Sequence, residues 1–466
     1  MHQDALVRKS SDFEHWVVGI AVGFVAVLVG VIAGKGGWLY LPIVAVLSLL
    51  WFWPVEIAMG SAVVLLPFEY VTLLGGGLER SAMSVAFAFA FSVLCAVGVI
   101  GRRLQRPSPA TLWWGLFLLW ACASILWAVE PRVSFERVPT AVSLFLFYLV
   151  ASSFRITEKE FDRIVWLTIL GGALAAFLSV YGFYTGAGFI ESGRATLAVG
   201  EEAVNPNRFG VRLLLPLAFA MARFFSSRQR ATRIFALFLL AITGLALLLT
   251  MSRGTVIAAV VVIVVFFFRL NSPRLKSLKP TVRRFLVVVI LMAIALGAVI
   301  PATFFTRFHD AATDRGAGRL DIWSVGLVIV QHYPVAGAGL GNFPIIYNQF
   351  AGYASHLYFK AVNNDAHNVY LAVAVEEGIV GLLLFLMAIW VQFKIVAKCR
   401  SQSQTTPIML FSCEAAFCGM LAASIFGTIL WDKTFWLTWV LLAFVVTLQK
   451  NQVSRANSPI RTGGLI

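Results

Sequence analysis

Apolar runs alternate with short polar connectors along almost the whole chain. Runs long enough to cross about 30 Å of hydrocarbon lie at 16–33, 37–53, 55–74, 83–100, 111–129, 138–154, 163–185, 208–225, 232–250, 254–269, 284–302, 370–396, 408–430 and 433–449. This pattern predicts an all-α fold, a polytopic membrane helix bundle. The runs at 37–53 and 254–269 are short, and Pro54 leaves almost no loop between its neighbours, so one pair is expected to be re-entrant or broken. The expectation is about 12 to 14 transmembrane helices.

The connectors are unequal. Arg102, Arg103 and Arg106 form one basic connector, Arg223, Arg228, Arg230 and Arg233 a second, Arg269 to Arg284 a third, and Lys394, Lys398 and Arg400 a fourth. Counting spans puts all four on one side together with both termini, and the excess of Lys and Arg there marks it as cytoplasmic. The opposite side carries two long segments, 186–207 and 301–366. The second is too long for a bare connector. Its stretch "RLDIWSVGLVIVQHYP" spaces Leu320, Trp323, Leu327 and Val330 helically and stops at Pro334, which predicts a short helix lying on the outer interface. The following "GAGLGN" (337–342) has no strand before it and a misplaced third glycine for a dinucleotide loop, and reads as a flexible turn. Glu376 and Glu377 cannot sit ionised in hydrocarbon, so the span at 370–396 is expected to begin in earnest near Gly378. The polar tail after Lys450 is expected to be disordered.

Composition confirms the class and narrows the partners. With 60% hydrophobic and 13% charged residues, the chain is far from the usage of soluble domains. The net charge of +15 is scattered over short connectors rather than gathered on one domain, so it points to the membrane surface and away from nucleic acid. Five cysteines in or beside apolar runs read as small hydrophobes, without disulfide or metal spacing. The N-terminus shows no small-residue cleavage pattern followed by a soluble domain, so the first helix is expected to be retained.

The polar residues that need a reason gather on the non-cytoplasmic side. In "TMSRGTVIA", Ser252 can cap a helix whose first turn holds Arg253. An arginine there opposes the helix dipole, and either snorkels to headgroups or joins the free N–H groups in binding an anion. Asn205-Pro206-Asn207 predicts a second helix start, with Arg208 and Arg212 four residues apart on one face. These two arginines either anchor the helix at the interface or meet an anion. Arg319 opens the interfacial helix one turn before Trp323. His367, two residues after Asp365, is expected to begin a helix through Asn368, Tyr370 and Leu371. Its ordinary pKa near 6.5 suits it to take a proton at neutral pH. Glu376, nine residues on, lies half a turn away and does not share its face. No His, Asp or Glu spacing suits a metal, and no GxSxG nucleophile motif occurs.

In order along the chain, "NPNRFGVRLLLPLA", "TMSRGTVIA", "GRLDIWSVGLVIVQHYPVAGAGLGNF" and "DAHNVYLAVAVEEGIVGLLLFL" resemble the motifs of the O-antigen ligase and polymerase superfamily of bacterial envelope glycosyltransferases. The resemblance implies a membrane-embedded fold of the glycosyltransferase-C type with a large periplasmic loop holding short helices. It implies three regions: N-terminal transmembrane helices over 1–204, a catalytic region over 205–449 including the periplasmic loop 301–366, and a cytoplasmic tail over 450–466. It also implies a multi-pass protein of the bacterial inner membrane, with its site facing the periplasm, in lipopolysaccharide or polysaccharide biosynthesis. The activity implied is inverting, without cofactor or metal: a glycan moves from undecaprenyl diphosphate to a sugar hydroxyl of lipid A core, or, in a polymerase, to another lipid-linked glycan. By resemblance His367 is the base, and Arg253 and Arg319 hold the diphosphate, with Arg208 and Arg212 beside them. Asn205, Asn207, Ser252, Trp323, Asn368, Tyr370 and Glu376 would support them. A small-anion transporter of the bicarbonate type is the alternative from another class, but the polar groups gather at one face rather than at the bilayer midplane, and no inverted halves with broken helices are visible.

Overall fold

Prolines and caps set the helix boundaries. Helices α1 (Pro54–Leu65), α3 (Pro109–Ala123), α4 (Pro131–Ser153) and α6 (Pro206–Arg212) each begin on a proline, whose missing N–H costs nothing at a first turn. The computed structural model describes residues 53–69, 82–186, 190–191, 193–199, 202–270, 306, 309, 316, 318–353, 364–402 and 408–457. The runs predicted at 16–33 and 284–302, all of 37–53 but its last residue, residues 301–305, 307–308, 310–315, 317 and 354–363 of the loop and the end of the tail lie outside the described residues.

The remaining helices are α2 (Ala82–Ile100), α5 (Glu158–Thr185), α7 (Leu214–Ser226), α8 (Arg230–Leu249), α9 (Arg253–Leu270), α10 (Arg319–His332), α11 (Phe343–Phe350), α12 (Val369–Glu376), α13 (Gly378–Gln402), α14 (Ile408–Ala423) and α15 (Lys433–Asn457). Among the described residues, eight helical stretches are long and apolar enough to cross a membrane. Two small hairpins, β1 (Ile190–Glu191) with β2 (Arg194–Ala195) and β3 (Ala198–Val199) with β4 (Glu202–Ala203), sit between α5 and α6. The chain is an all-α polytopic membrane helix bundle with these hairpins as its loop furniture.

Helix α15 runs through the middle, with Phe435 to Val446 almost entirely buried. Its Trp436 and Trp439 rings stand 4.8 and 5.0 Å from Trp114 of α3, which also meets Phe385 of α13 at 5.7 Å. In lipid no hydrophobic gain separates helix from helix, so close-fitting rings of this kind carry the association through dispersion. One end of the bundle is knit by ion pairs. Glu414 accepts from Arg269 at 2.6 Å and Arg400 at 2.8 Å, and Arg223 reaches Asp162 at 2.6 Å. The other end carries the helix starts of α6 and α9.

Several expected elements are broken or shifted. The run at 55–74 stops at a 3-10 turn, Leu66–Phe68, before Glu69. The run at 208–225 is two helices interrupted at Leu213, and the run at 408–430 ends at Ala423, where a non-helical turn leads into α15. The run at 370–396 divides at Glu377, and α13 starts on Gly378 at φ +66°. Helix α10 forms over the expected stretch, but it turns Ile322, Val325 and Ile329 inward and leaves Leu320 and Leu327 exposed. The outward apolar side suits an interfacial position.

The segment 337–342 is not a flexible turn. Ala338 and Leu340 are fully buried, and Ala338 and Gly339 donate their N–H groups to the Val375 and Glu376 carbonyls at 2.8 Å each. Val129 N–H donates to the Ala338 carbonyl at 2.9 Å, and the Asn342 amide reaches Ser134 Oγ at 2.9 Å. Gly337 has φ +75°, and a Cβ there would fall 2.3 Å from the Glu376 carbonyl oxygen. Only glycine permits both the left-handed backbone and that approach.

Candidate active site

Three helix starts converge at the end of the bundle away from the ion-pair knot. Asn205 caps α6 by accepting from Asn207 N–H at 3.0 Å. Ser252 caps α9, its Oγ accepting from Thr255 N–H at 3.4 Å. Thr255 Oγ1 lies 2.8 Å from Ser252 Oγ and 3.3 Å from the Asn207 carbonyl, which ties one start to the other. The third is α12, where Asn368 accepts from Leu371 N–H at 3.1 Å. The helix expected to begin at His367 begins instead at Val369, with Asn368 as its cap and His367 just before it. Met251 at φ +49° and His367 at φ +47° both hold left-handed backbone, which residues with a Cβ rarely adopt and which the surroundings must enforce.

That enforcement is visible around His367. Trp323 Nε1 donates to the Ala366 carbonyl at 3.0 Å, Val369 N–H to the Ser424 carbonyl at 2.8 Å, and Tyr370 OH to the Leu421 carbonyl at 3.0 Å. Trp323, Asn368 and Tyr370 therefore hold the peptide that carries the imidazole, and stand off the cavity themselves.

A cavity of about 180 Å³ lies between these starts. Its wall includes Asn205, Asn207 and Arg208 from the first, Ser252, Gly254 and Thr255 from the second, and Arg319, Asp365 and His367 from the third region. Arg253 occupies the first position of α9 next to Gly254, but its side chain is not part of that wall. The imidazole keeps one side exposed to the cavity while protein packs round the rest. Burial, then the positive charges of Arg319 and Arg208, push its pKa down, and Asp365 pulls it partly back up. The balance leaves a neutral ring at pH 7, able to accept a proton.

Glu376 faces elsewhere. It accepts from Phe343 N–H at 3.2 Å, and burial pushes its pKa up to about 7 against the pull of the Gly341 and Phe343 N–H groups. It braces the 337–342 segment and does not pair with His367.

Arg212, expected beside Arg208 on the same anion, is turned into the protein. It is 0% exposed, donates to Glu69 Oε2 at 2.9 Å and to the Glu69 carbonyl at 3.0 Å, and lies 3.8 Å from Asp432. Lys433 closes the cluster on Glu69 at 2.6 Å. Burial raises the Asp432 carboxyl, but Arg212 and the Thr434 hydrogen bonds outweigh it and hold the pKa below the usual range. Removing one partner of a buried pair strands the others, at roughly 3 to 5 kcal/mol. Arg212→Met is therefore expected to lower the melting temperature of the detergent-solubilised protein sharply, as followed by tryptophan fluorescence.

Sequence reasoning passed over three parts of this region. Asp365 was legible as the neighbour of His367. The turn Phe426, Gly427, Thr428 and Ile429, which walls the cavity between α14 and α15, was hidden inside an apolar run. Arg194 carried no local signal at all. Among the described residues no three His, Cys, Asp or Glu side chains gather as a metal site would require.

No curated protein matches the chain. The family model described as O-antigen ligase matches residues 235–386, the segment that carries Arg253, Arg319 and His367. Over that segment, about a third of the chain, the protein is similar to the O-antigen ligase family.

Proposed function

We propose that this protein is an O-antigen ligase-like inverting glycosyltransferase, which moves a glycan from undecaprenyl diphosphate to a sugar hydroxyl of lipid A core at the periplasmic face of the inner membrane. The observation that carries this reading is the shared cavity of Arg208, Arg319 and a neutral His367 beside two helix N-termini. His367 accepts the proton of the acceptor hydroxyl as its oxygen attacks the anomeric carbon. The bond from that carbon to the phosphate oxygen breaks on the opposite face, and the diphosphate leaves with the electron pair. Arg208 and Arg319 stabilise the departing charge at the starts of α6 and α10, with Arg253 at the head of α9. The arginines that would meet the leaving group and the base line one small space, which brings the reacting groups close together.

The test is incubation of purified protein with lipid-diphosphate glycan, in EDTA, with either lipid A core or further donor, and separation of products on a gel. A single shifted band with lipid A core is expected. A ladder formed from donor alone would replace ligase with polymerase, and no product from either acceptor would reject the transferase reading.

A further inference from the structure

We infer that Arg194, on the β1–β2 hairpin, is a positioning residue that holds the anion-binding wall of the cavity together and sets the affinity for the lipid diphosphate. This rests on the transferase reading above. Arg194 is only 9% exposed. Its Nε donates to the Thr250 carbonyl at 2.8 Å, and one of its terminal nitrogens donates to Asn207 Oδ1 at 2.7 Å. One guanidinium thus spans the two turns that begin α6 and α9.

The two partners matter because of where they stand. Thr250 precedes Met251, whose left-handed backbone swings the chain into the Ser252 cap, and Ser252 N–H returns to Thr250 Oγ1 at 3.3 Å. Asn207 lines the cavity. Followed round, the bonds close a ring: Arg194 to Thr250, Thr250 to Ser252, Ser252 to Thr255, Thr255 to the Asn207 carbonyl, and the Asn207 side chain back to Arg194. Four of these members are neutral, and Arg194 is the charged one that reaches both turns.

There is a chemical consequence for Asn207. An amide offers an acceptor oxygen on one side and two N–H donors on the other. With Oδ1 engaged by Arg194, the groups left to the cavity are the donors of Nδ2, which suit a phosphate oxygen. A free amide could flip and present its oxygen to the same anion, where it would repel. A lysine at 194 supplies a point charge and can serve one turn or the other, but not both in the planar geometry of a guanidinium.

Wild type, Arg194→Lys, Arg194→Met and Asn207→Asp are compared by binding of undecaprenyl diphosphate in nanodiscs, by steady-state kinetics against donor, and by melting temperature. Arg194→Lys is expected to raise the Kd and the donor KM about tenfold or more, the worth of a charge-assisted hydrogen bond, with kcat within a few-fold of wild type and little change in melting temperature. Asn207→Asp keeps an acceptor for Arg194 but removes the Nδ2 donors, and is expected to weaken lipid diphosphate binding in a protein that melts normally. If Arg194→Met does not fold, the lysine and aspartate variants carry the test. A purely structural role would reduce the active fraction, lowering Vmax with Kd and KM unchanged, and that result in Arg194→Lys overturns the inference. Wild type that fails to bind the lipid diphosphate overturns the transferase reading as well, whereas wild type that binds no better than Arg194→Lys overturns this inference alone.

Discussion

His367→Ala is expected to lower kcat by about 10²- to 10⁴-fold, the usual worth of a positioned general base, while the lipid diphosphate still binds. The ring lines the same cavity as Arg208 and Arg319, so its removal takes away the proton acceptor and leaves both arginines in place. The pH dependence gives a second reading of the same claim. Turnover needs the neutral imidazole, so the wild-type rate is held above the pKa of His367 and lost as pH falls through it. Burial, Arg319 and Arg208 push that pKa below the ordinary histidine value, so the acid limb is expected below about pH 6.5, the unperturbed figure. In His367→Ala the limb should vanish along with the rate. Unaltered turnover in this variant, measured with saturating donor, would remove the base from the mechanism.

Substitution of Arg319 separates charge from shape. Arg319 opens α10 directly after Gly318, which at φ +76° turns the chain into the helix, and it reaches the same cavity as His367. Arg319→Lys keeps one positive charge but loses the planar fork, and is expected to cost about ten- to a hundredfold in kcat/KM, from charge-assisted bonds worth about 1.5 to 3 kcal/mol. Arg319→Gln removes the charge as well and is expected to cost more. The two differ in pH behaviour. The Arg319 charge depresses the His367 pKa, so in Arg319→Gln the pKa rises and the acid limb moves to higher pH, while in Arg319→Lys it stays near its wild-type place. A limb that does not move in Arg319→Gln would mean that the guanidinium and the imidazole do not face one another across the site.

Much of this was legible in the sequence, and the rest was hidden for physical reasons. Helix positions followed from apolar run length, and the break at Gly378 followed from the cost of two glutamates in hydrocarbon. The caps at Asn205 and Ser252 could be read because a cap is local, acting over two or three residues. Arg212 could not be assigned, because its partners Glu69 and Asp432 lie in distant segments and nothing at 212 distinguishes a buried pair from an anion contact. The same limit applies to Arg194. The 337–342 segment was misjudged for a related reason: glycine spacing shows that unusual backbone is possible, but not that another strand of backbone will lie against it. For α10 the sequence is apolar on more than one side, so spacing alone chose the face that turns outward.

The clasp at 337–342 has a bearing on how the chain can be divided. Its partners Val129, Glu130 and Ser134 precede the matched segment 235–386, as do Trp120 and Trp127, whose indoles donate to the Glu377 and Ala336 carbonyls. A protein trimmed to the limits of similarity would strip these carbonyls and amides of their hydrogen-bond partners. The early helices are the mould in which the matched segment is cast.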